Sequence, residues 1–446
     1  MERRVDLAVI GGGPAGLAHA FWALREDPSR EIIVLEAAPR AGGRVHSDDV
    51  DGFLLEWGPD ALRPNAELEA LVDALALGDE MVAAVPAASL RWIGRGGALQ
   101  RVPGGPRALV ASRILSWRAK LRLFREPWIR RGGRDGESIA AFVGRRFGPE
   151  CVPLVHAIVS GIYAGDAERL ETASAFPTLA RAEAEHGSVL RGLVARRRGG
   201  GPAKARRPSL VSFRTGLGTL IDALATALGP RLRTHSPVAT IEALTEGYRL
   251  TPGPDGAALI ARELVCAAPA NRAAALLAPL DAEIGRELAE IRFAPVASVQ
   301  LGLDLRDATA AMQGFGFLLE PGERSPVLGA LNCSSTFPHR APEGRALVRV
   351  MLGGVRAPEV VGRDDASLAS LAIDDHRRYT GYRGHAELLG IVRSEAAIPQ
   401  FESGHATRLA RIEACLRRLP GLRLRGNSYR AIALPAQLGF DTSAGV

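Results

Sequence analysis

The sequence predicts an α/β protein in which one α/β domain is interleaved with a helical part and a β-rich part. Three observations predict this fold class. An apolar run at residues 5–10 meets glycines and is followed by helical and then strand-like residues, the pattern of a βαβ unit. Residues 106–207 have a helical pattern rich in arginine, whereas strand-like residues and glycine turns dominate residues 296–351. Strand and helix patterns resume over residues 210–268, so we expect interleaved parts and not a linear series of domains.

The composition is that of a globular protein, with 47% hydrophobic and 24% charged residues in 446 positions, a length that predicts two or three domains. The four cysteines are far apart and form no C-x-x-C pair, so we expect no metal site and no disulfide scaffold. No signal-peptide pattern precedes the first strand, and no apolar run approaches the roughly 18–20 residues of a membrane span. We therefore expect a cytoplasmic protein, or one peripheral to the inner face of the cell membrane.

The first strand runs directly into the segment GGGPAG, residues 11–16, which has the G-x-G-x-x-G spacing of a dinucleotide-binding turn. Gly11 permits the tight turn, Gly13 lets the backbone approach a pyrophosphate, and Gly16 lets the next helix pack on the strand. The helix expected over residues 17–25 offers N–H groups and the positive end of its dipole to phosphate. The segment therefore predicts a Rossmann-like domain.

A second apolar strand, residues 31–36, ends at Glu36, twenty residues after Gly16. A carboxylate in this position accepts hydrogen bonds from the ribose hydroxyls of a dinucleotide. A glycine turn alone predicts little. The strand, turn, helix, strand and acidic residue in this order predict a dinucleotide site.

The segment RAGGR, residues 40–44, separates FAD from NAD. It resembles the R-x-G-G-R extension of flavin amine oxidases, in which glycines let backbone N–H groups approach the diphosphate and an arginine balances its charge. Gly58-Pro59 resembles the segment that passes close to the flavin in the same superfamily. An NAD dehydrogenase needs neither feature, so FAD is the predicted cofactor.

The next segments predict a hairpin and then helices. Residues 90–102 alternate around a Gly96-Gly97 turn, which predicts a β-hairpin. Residues 116–134, inside the helical part, interleave cations with large apolar side chains. These are Arg118, Lys120, Arg122, Arg125, Arg130, Arg131 and Arg134, and Trp117, Leu121, Phe124, Trp128 and Ile129.

Such a mixture suits a membrane interface, where rings lie at headgroup depth and cations meet anionic lipid. A solvated helical face is the alternative interpretation of residues 116–134. The net charge of +7 could also favour nucleic acid, but no nucleic-acid fold signature accompanies it, and no nucleic-acid partner is expected.

Segments along nearly the whole chain resemble those of the oxygen-dependent protoporphyrinogen oxidases, flavoenzymes of the flavin amine oxidase superfamily. Each segment is a weak indication, but their order and spacing together are specific. The segments are residues 161–166 (GIYAGD), 176–177 (FP), 314–318 (GFGFL), 328–330 (LGA), 337–338 (FP), 398–401 (IPQF), 404–405 (GH), 419–421 (LPG) and 426–427 (GN).

The resemblance implies three interleaved parts: an FAD-binding domain, a β-rich substrate domain and a helical, membrane-associating domain. We assign residues 1–75, 208–275 and 400–446 to the first part, 76–105 and 291–399 to the second, and 106–207 to the third. It also implies FAD-dependent oxidation of protoporphyrinogen IX to protoporphyrin IX in haem biosynthesis, with oxygen as acceptor and hydrogen peroxide as product. The expected partners are thus a porphyrinogen, oxygen and a membrane surface; a homodimer is compatible with the family.

The resemblance also implies roles for individual residues at positions that match the family. Arg91 matches the arginine that pairs with a substrate propionate, which a guanidinium suits. Phe315, Gly316 and Leu318 match the segment packed against the macrocycle, where a glycine makes room for a flat ring. Gly165 matches a backbone position near the reacting carbon. A solvated charge at Arg91 and plain core packing at residues 315–318 are the alternatives.

The cofactor-binding set combines the turn, the acidic residue and the carried-over positions, including Val238, whose family counterpart contacts adenine through its backbone. The set is Gly11, Gly12, Gly13, Pro14, Ala15, Gly16, Glu36, Ala37, Arg40, Gly43, Arg44, Gly58, Pro59, Asp60, Ala61, Val238, Ser394, Ala431, Ile432 and Ala433. No catalytic side chain is assigned, because the flavin carries the chemistry in such enzymes. His156 and His405 are expected to make local hydrogen bonds.

The sequence departs from the family at its far end. Alanines stand at positions 431 and 433, where the family has glycines near the flavin, and Pro435 stands where a closing helix should begin. Ser394 replaces a tryptophan near the flavin, and Asp60 replaces the usual Asn or Arg. These changes leave FAD binding expected and put turnover in question.

Four other functions stay open. Oxidation of coproporphyrinogen III needs the same chemistry and differs in how many carboxylates the cleft must bind. An amine oxidase needs an aromatic cage and a carotenoid desaturase a long apolar tunnel, neither of which residues 314–318 favour. A flavin-binding homologue with impaired catalysis, acting in a tetrapyrrole assembly, would explain the altered far end.

Overall fold

The protein is built around two seven-stranded β-sheets, and the computed structural model describes residues 3–198, 209–253 and 257–440. The strands are β1 (Arg3–Ile10), β2 (Ile32–Leu35), β3 (Ser47–Val50), β4 (Phe53–Glu56), β5 (Met81–Ala83), β6 (Arg91–Arg95), β7 (Ala98–Arg101), β8 (Val211–Phe213), β9 (Leu232–Arg233), β10 (Val238–Ala243), β11 (Tyr248–Pro252), β12 (Leu259–Cys266), β13 (Phe293–Asp304), β14 (Gly316–Leu319), β15 (Val327–Asn332), β16 (Arg345–Gly353), β17 (Ala386–Pro399) and β18 (Leu422–Leu424).

Helices connect and cover these strands. They are α1 (Pro14–Glu26), α2 (Ala66–Ala74), α3 (Pro106–Ala111), α4 (Trp117–Phe124), α5 (Ile139–Phe147), α6 (Val152–Tyr163), α7 (Thr172–Ala175), α8 (Pro177–His186), α9 (Val189–Arg198), α10 (Gly218–Leu228), α11 (Ala270–Leu277), α12 (Ala282–Ala289), α13 (Cys333–Thr336), α14 (Asp365–Thr380) and α15 (His405–Leu416). No helix within the described residues is both long enough and apolar enough to cross a membrane.

The first sheet has the strand order β10-β11-β12-β1-β2-β9, with β18 also paired to β12. Strand β1 is apolar on both faces, so each face needs its own cover. Leu7 and Val9 pack with residues of α1 and α10, whereas Ala8 and Ile10 pack with residues of α11, α12 and α15. This is a sheet with helices on both faces, and the predicted βαβ unit forms its centre.

The second sheet has the strand order β17-β13-β16-β15-β14-β6-β7 and is antiparallel except for the parallel pair β14–β6. The predicted hairpin is confirmed as β6 and β7, and its turn places Gly96 and Gly97 at φ of 62° and 78°. Apolar side chains on one face of the sheet pack against α14 through Leu368 and Ala372.

The helical part, α3 to α9, encloses a third core, which also includes Phe401. Helix α6 reaches from this core to strands β14 and β15 of the second sheet. The predicted α/β fold with interleaved helical and β-rich parts is therefore confirmed. The end of the arginine-rich stretch, residues 199–208, and the last residues, 441–446, lie outside the described residues.

Candidate functional site

The glycine turn between β1 and α1 leaves open space at one position only. A Cβ on Gly16 would lie 2.0 Å from the Gly11 carbonyl oxygen, and a Cβ on Gly11 would lie 3.1 Å from the backbone of Ala267. A Cβ on Gly13 would meet nothing within 4 Å. Gly13 is also the N-cap of α1, and no side chain caps that end, so helix N–H groups face this space. The turn thus has room and donors for a diphosphate.

Glu36 lies beside this turn. One of its carboxylate oxygens accepts from the Gly12 N–H at 2.7 Å, and the other accepts from the Ala38 N–H at 2.8 Å. The Ser236 N–H donates to the Glu36 carbonyl at 2.8 Å, and β10 begins two residues later at Val238. The structure therefore brings together the residues predicted to hold ribose and adenine, with Ala37 exposed between them.

The loop of residues 40–44 lies against the glycine turn. The Gly42 N–H donates to the Gly12 carbonyl at 2.7 Å, and a Cβ on Gly43 would lie 3.5 Å from the Cα of Gly13. The Arg40 guanidinium turns back and donates to the carbonyls of its own loop, at Ala41, Gly43 and Val45. Arg40 therefore holds the loop closed, a role that the sequence did not predict.

Arg44 leads from this loop towards the second sheet. Its guanidinium donates to the Ser394 hydroxyl and to the Ala396 carbonyl, both on β17. A Cβ on Gly58 would lie 2.0 Å from the Arg44 carbonyl oxygen, so glycine is required for these two segments to touch. Two predicted cofactor segments and Ser394 thus form one continuous surface.

A cavity of about 110 Å³ opens at the end of this surface. Its wall includes Gly58 and Asp60 from the predicted cofactor set and Leu318 from the predicted substrate set. The remaining lining residues come from α6, its C-terminal end and the second sheet: Ser160, Gly161, Ala164, Leu328, Gly329, Ala330, Leu331, Arg349, Met351 and Ile398. The two predicted sets therefore meet at one largely apolar cavity.

The other predicted substrate residues surround this cavity without all lining it. Arg91 is exposed at the start of β6, with its guanidinium 5.4 Å from the centre of the Phe315 ring. Gly165 is buried, and a Cβ there would lie 2.5 Å from Oε1 of Gln400. A Cβ on Gly316 would lie 2.0 Å from the Ala330 carbonyl oxygen, so contact between adjacent strands already requires this glycine. We expected Gly316 to make room for a flat ring, but the neighbouring strand β15 occupies that space.

A buried charge cluster lies behind the cavity wall. Arg340, which is fully buried, donates to the carboxylate of Asp60 at 2.9 Å, to its carbonyl at 2.7 Å and to the Ser212 hydroxyl at 2.9 Å. Its distance to the Glu56 carboxylate is 3.3 Å. Burial raises the pKa of Glu56 to about 7. The cluster holds the segment after Gly58 in place, and no motif or spacing in the sequence pointed to Arg340.

The far end of the chain approaches the same region. Ile432 packs against the helical core together with Ile398 of the cavity wall, and its carbonyl accepts from Gln437 at 3.1 Å. Residues Leu434–Gln437 form a short 3₁₀ turn that contacts α1. Alanines 431 and 433 flank Ile432, so the altered segment still lies between the helical core and the first sheet.

The two histidines considered from the sequence lie away from the cavity wall. The His405 ring stacks on Phe401 at 4.3 Å, and its Nε2 lies 2.7 Å from the Tyr429 carbonyl oxygen. His156 lies 3.6 Å from Asp166. Asp281, Glu283 and Cys415 bring potential metal-ligand atoms together, but Arg418 already pairs with both carboxylates.

Comparison with known proteins identifies the class. Residues 14–427 match the model of the flavin containing amine oxidoreductases, so the chain belongs to this family and is an FAD-dependent oxidoreductase. The residues present fit FAD. The space at Gly13 is open because this residue has no side chain, and Glu36 offers a carboxylate beside it.

Within this family, the chain is similar over nearly its whole length to porphyrinogen oxidases. It is 32% identical to human protoporphyrinogen oxidase, over 96% of this chain and 95% of that protein. It is 27% identical to the coproporphyrinogen III oxidase of Bacillus subtilis, over 97% and 96%. A crystal structure from Exiguobacterium sp. 255-15, provisionally named a protoporphyrinogen oxidase, superposes with a TM-score of 0.80 at 25% identity over 98% and 96%. The resemblance stated from the sequence is confirmed.

Proposed function

We propose that this flavoenzyme oxidises protoporphyrinogen IX to protoporphyrin IX in haem biosynthesis, with oxygen as acceptor and hydrogen peroxide as product. The observation that carries the proposal is the cavity at which Gly58 and Asp60 of the cofactor set meet Leu318 of the substrate set. The full-length similarity to protoporphyrinogen oxidases of animals and plants supports the same substrate.

The cavity wall suits a flat, largely apolar macrocycle. Leu318, Leu328 and Met351 present aliphatic surface, which binds such a ring and displaces water from it. FAD, when bound, supplies the oxidising chemistry by accepting a hydride equivalent from the substrate carbon. The substrate loses six electrons and six protons in all, which reduces three molecules of oxygen to three of hydrogen peroxide.

Among the described residues, those of the cavity wall position the substrate, and none is assigned as a base. Asp60 is the carboxylate of the cavity wall, and it accepts a hydrogen bond from the buried Arg340 at 2.9 Å, which holds it in place. Arg91 lies beside Phe315 at the start of β6, where its guanidinium can pair with a propionate of the substrate. In this proposal, protons released from the macrocycle pass to solvent.

Coproporphyrinogen III is the second candidate substrate, and the full-length similarity to the Bacillus subtilis enzyme favours it. Purified protein loaded with FAD should be given each porphyrinogen under air, and fluorescent porphyrin and peroxide should be measured. Product from protoporphyrinogen alone supports the proposal, and product from coproporphyrinogen alone replaces it with the second candidate. No product from either at full FAD occupancy would leave a flavin-binding homologue without turnover.

Arg91→Gln tests how the substrate is held. We expect KM to rise about tenfold or more with little change in kcat, because a charge-assisted bond to a carboxylate contributes about 1.5–3 kcal/mol. Arg101→Gln is the matched control, since Arg101 is an exposed arginine on the paired strand β7. An equal rise of KM in both variants would remove Arg91 from the proposed role.

We also propose that α4 and the residues after it contact a membrane surface. Trp117 and Trp128 are 70% and 76% exposed, and Leu121 and Phe124 are each 55% exposed. Arg118, Arg122 and Arg125 are exposed on the same segment. Exposed rings among cations are the surface expected of a protein that lies on anionic lipid.

Co-sedimentation with vesicles containing anionic lipid tests this surface. Trp117→Ser with Trp128→Ser, and separately neutralisation of Arg118, Arg122 and Arg125, should each reduce binding several-fold. Leu305→Ser with Leu388→Ser is the control, because these exposed apolar residues lie outside the helical part. Binding unchanged in both test variants would overturn the membrane proposal.

A further inference from the structure

Arg349 lies in the cavity wall with one edge of its guanidinium occupied and the other available. The side chain is on β16 and only 4% exposed. Its Nε donates to the Ser298 hydroxyl and its Nη1 to the Gly58 carbonyl, both at 2.6 Å. Among the residues that the structure describes, Nη2 takes part in no hydrogen bond. A donor without a partner is therefore left on a side chain that lines the cavity.

The positive charge of Arg349 has no carboxylate of its own. Arg340 takes the nearby Asp60 at 2.9 Å and also lies 3.3 Å from Glu56, whereas no ion pair to Arg349 is formed within the described ranges. Burial lowers the pKa of Arg349, yet a guanidinium remains charged at physiological pH. Asp60 and Glu56, which also face Arg340, offset the burial of Arg349 only in part, so a negatively charged ligand group would stabilise it.

The path of FAD brings such a group to this place. Glu36 and the open space at Gly13 would hold the adenosine and diphosphate ends of FAD. The surface continues through the carbonyl of Arg44 to Gly58, which forms part of the cavity wall. The flavin end would therefore reach the cavity, where Arg349 donates to the Gly58 carbonyl. The flavin ring gains negative charge when it is reduced, so a fixed cation beside it favours the reduced form.

We propose that Arg349 is a cofactor-contacting residue that anchors the Gly58 carbonyl and presents Nη2 to the flavin ring of FAD, whose reduced form it binds in preference to the oxidised form. The inference depends on FAD and not on the identity of the porphyrinogen. It therefore stands or falls separately from the proposed substrate.

The test compares the binding of the two forms of FAD. Apoprotein of wild type, Arg349→Met and Arg349→Gln should be titrated with oxidised FAD in air and with dithionite-reduced FAD without oxygen. We expect both variants to lose at least tenfold more affinity for reduced than for oxidised FAD. By the thermodynamic cycle, tenfold corresponds to a two-electron potential lower by about 30 mV, which dye-linked reduction measures independently.

Arg345→Met is the matched control. Arg345 lies on the same strand, but its guanidinium pairs with Glu387 at 2.6 Å and does not reach the cavity wall. Its ratio of reduced to oxidised affinity should equal that of the wild type. Equal loss of both affinities in the Arg349 variants, or no loss in a variant that circular dichroism shows to be folded, would overturn the proposal.

Discussion

Three glycines of the first turn have different surroundings. Gly11 and Gly16 each face backbone atoms, so a side chain there would push apart the strand and helix. Gly13 faces open space and has an ordinary φ of −73°, which any residue can adopt. The protein alone therefore does not require glycine at position 13, and the reason for glycine there lies in the ligand.

Gly13→Val separates these two roles. We expect the apoprotein to keep its melting temperature within about 2 °C, because no protein atom lies within 4 Å of a Cβ at this position, while FAD affinity falls at least tenfold. Thermal unfolding and FAD titration measure the two effects. Gly16→Ala should instead lower the melting temperature itself. Gly78→Val is the control, because a Cβ on Gly78 would also meet nothing within 4 Å. It should leave both the melting temperature and the FAD affinity unchanged.

A buried carboxyl group behind the cavity makes stability depend on pH. Burial raises the pKa of Glu56 from 4.5 to about 7. Between these values the unfolded chain has released this proton and the folded protein still holds it. The folded state thus binds more protons, and this group's contribution to stability falls as pH rises from 4.5 towards 7.

Glu56→Gln should remove this contribution. The free energy of unfolding, measured by urea at pH 5 and pH 7.5, should fall less with rising pH in the variant than in the wild type. Comparing the two proteins cancels the contributions of other groups. Glu359→Gln, at an exposed position, should behave as the wild type. An unchanged difference between the two pH values in Glu56→Gln would contradict the assignment.

At the scale of elements, a buried ion pair joins the helices of the helical part. Arg146 on α5 and Glu126 after α4 are both fully buried and in contact. The Glu126 carboxylate also accepts from the Val189 and Leu190 N–H groups at the start of α9, at 2.9 and 3.2 Å. One carboxylate therefore both pairs with α5 and caps α9, and it lies two residues from the exposed Trp128.

Arg146→Met should destabilise the protein by about 3–5 kcal/mol, because it leaves Glu126 buried without its counter-charge. The free energy of unfolding in urea measures this loss. Limited proteolysis should show earlier cleavage within residues 116–134. Arg118→Met, at an exposed position on α4, should change stability by less than about 0.5 kcal/mol. A loss below 1 kcal/mol at Arg146 would show that the pair is not important for holding these helices together.

At the scale of the whole molecule, the cavity lies where three parts meet. Gly58 comes from the segment after β4, Leu318 and Arg349 from the second sheet, and Gly161 from α6. The last described residues pack against the face of the first sheet that α1 covers. Leu438 is fully buried there, and its carbonyl accepts from the Trp22 indole N–H at 2.9 Å. Folding of the last described residues is therefore coupled to the helix that follows the glycine turn.

Leu438→Ala should cost about 2–5 kcal/mol, the range for a leucine truncated in a core. Addition of FAD should recover part of this loss, because a ligand at one hundred times its Kd stabilises the folded state by about 2.7 kcal/mol. Thermal unfolding with and without FAD measures both effects. Leu305→Ala, at an exposed leucine, is the control. If Leu438→Ala lost no more stability than Leu305→Ala, the C-terminal turn would not be part of the core.

The sequence by itself determined the class of fold, the cofactor and the family. Short-range rules suffice for these, because the residues from Gly11 to Arg44 lie within one βαβ unit and its extension, where spacing along the chain fixes spacing in the structure. The hairpin at Gly96-Gly97 followed for the same reason, and its turn has the positive φ values that glycine allows.

Only the tertiary structure decided which residues form the cavity. Arg349 and Met351 carry no local motif, and they meet Gly58 only because the second sheet folds against the first sheet's loops. The structure also shows that the contact with Ala330 requires a glycine at position 316 and that Arg40 donates to carbonyls of its own loop. Contacts between residues a hundred or more positions apart depend on how buried surfaces fit together, and no spacing in the sequence encodes that fit.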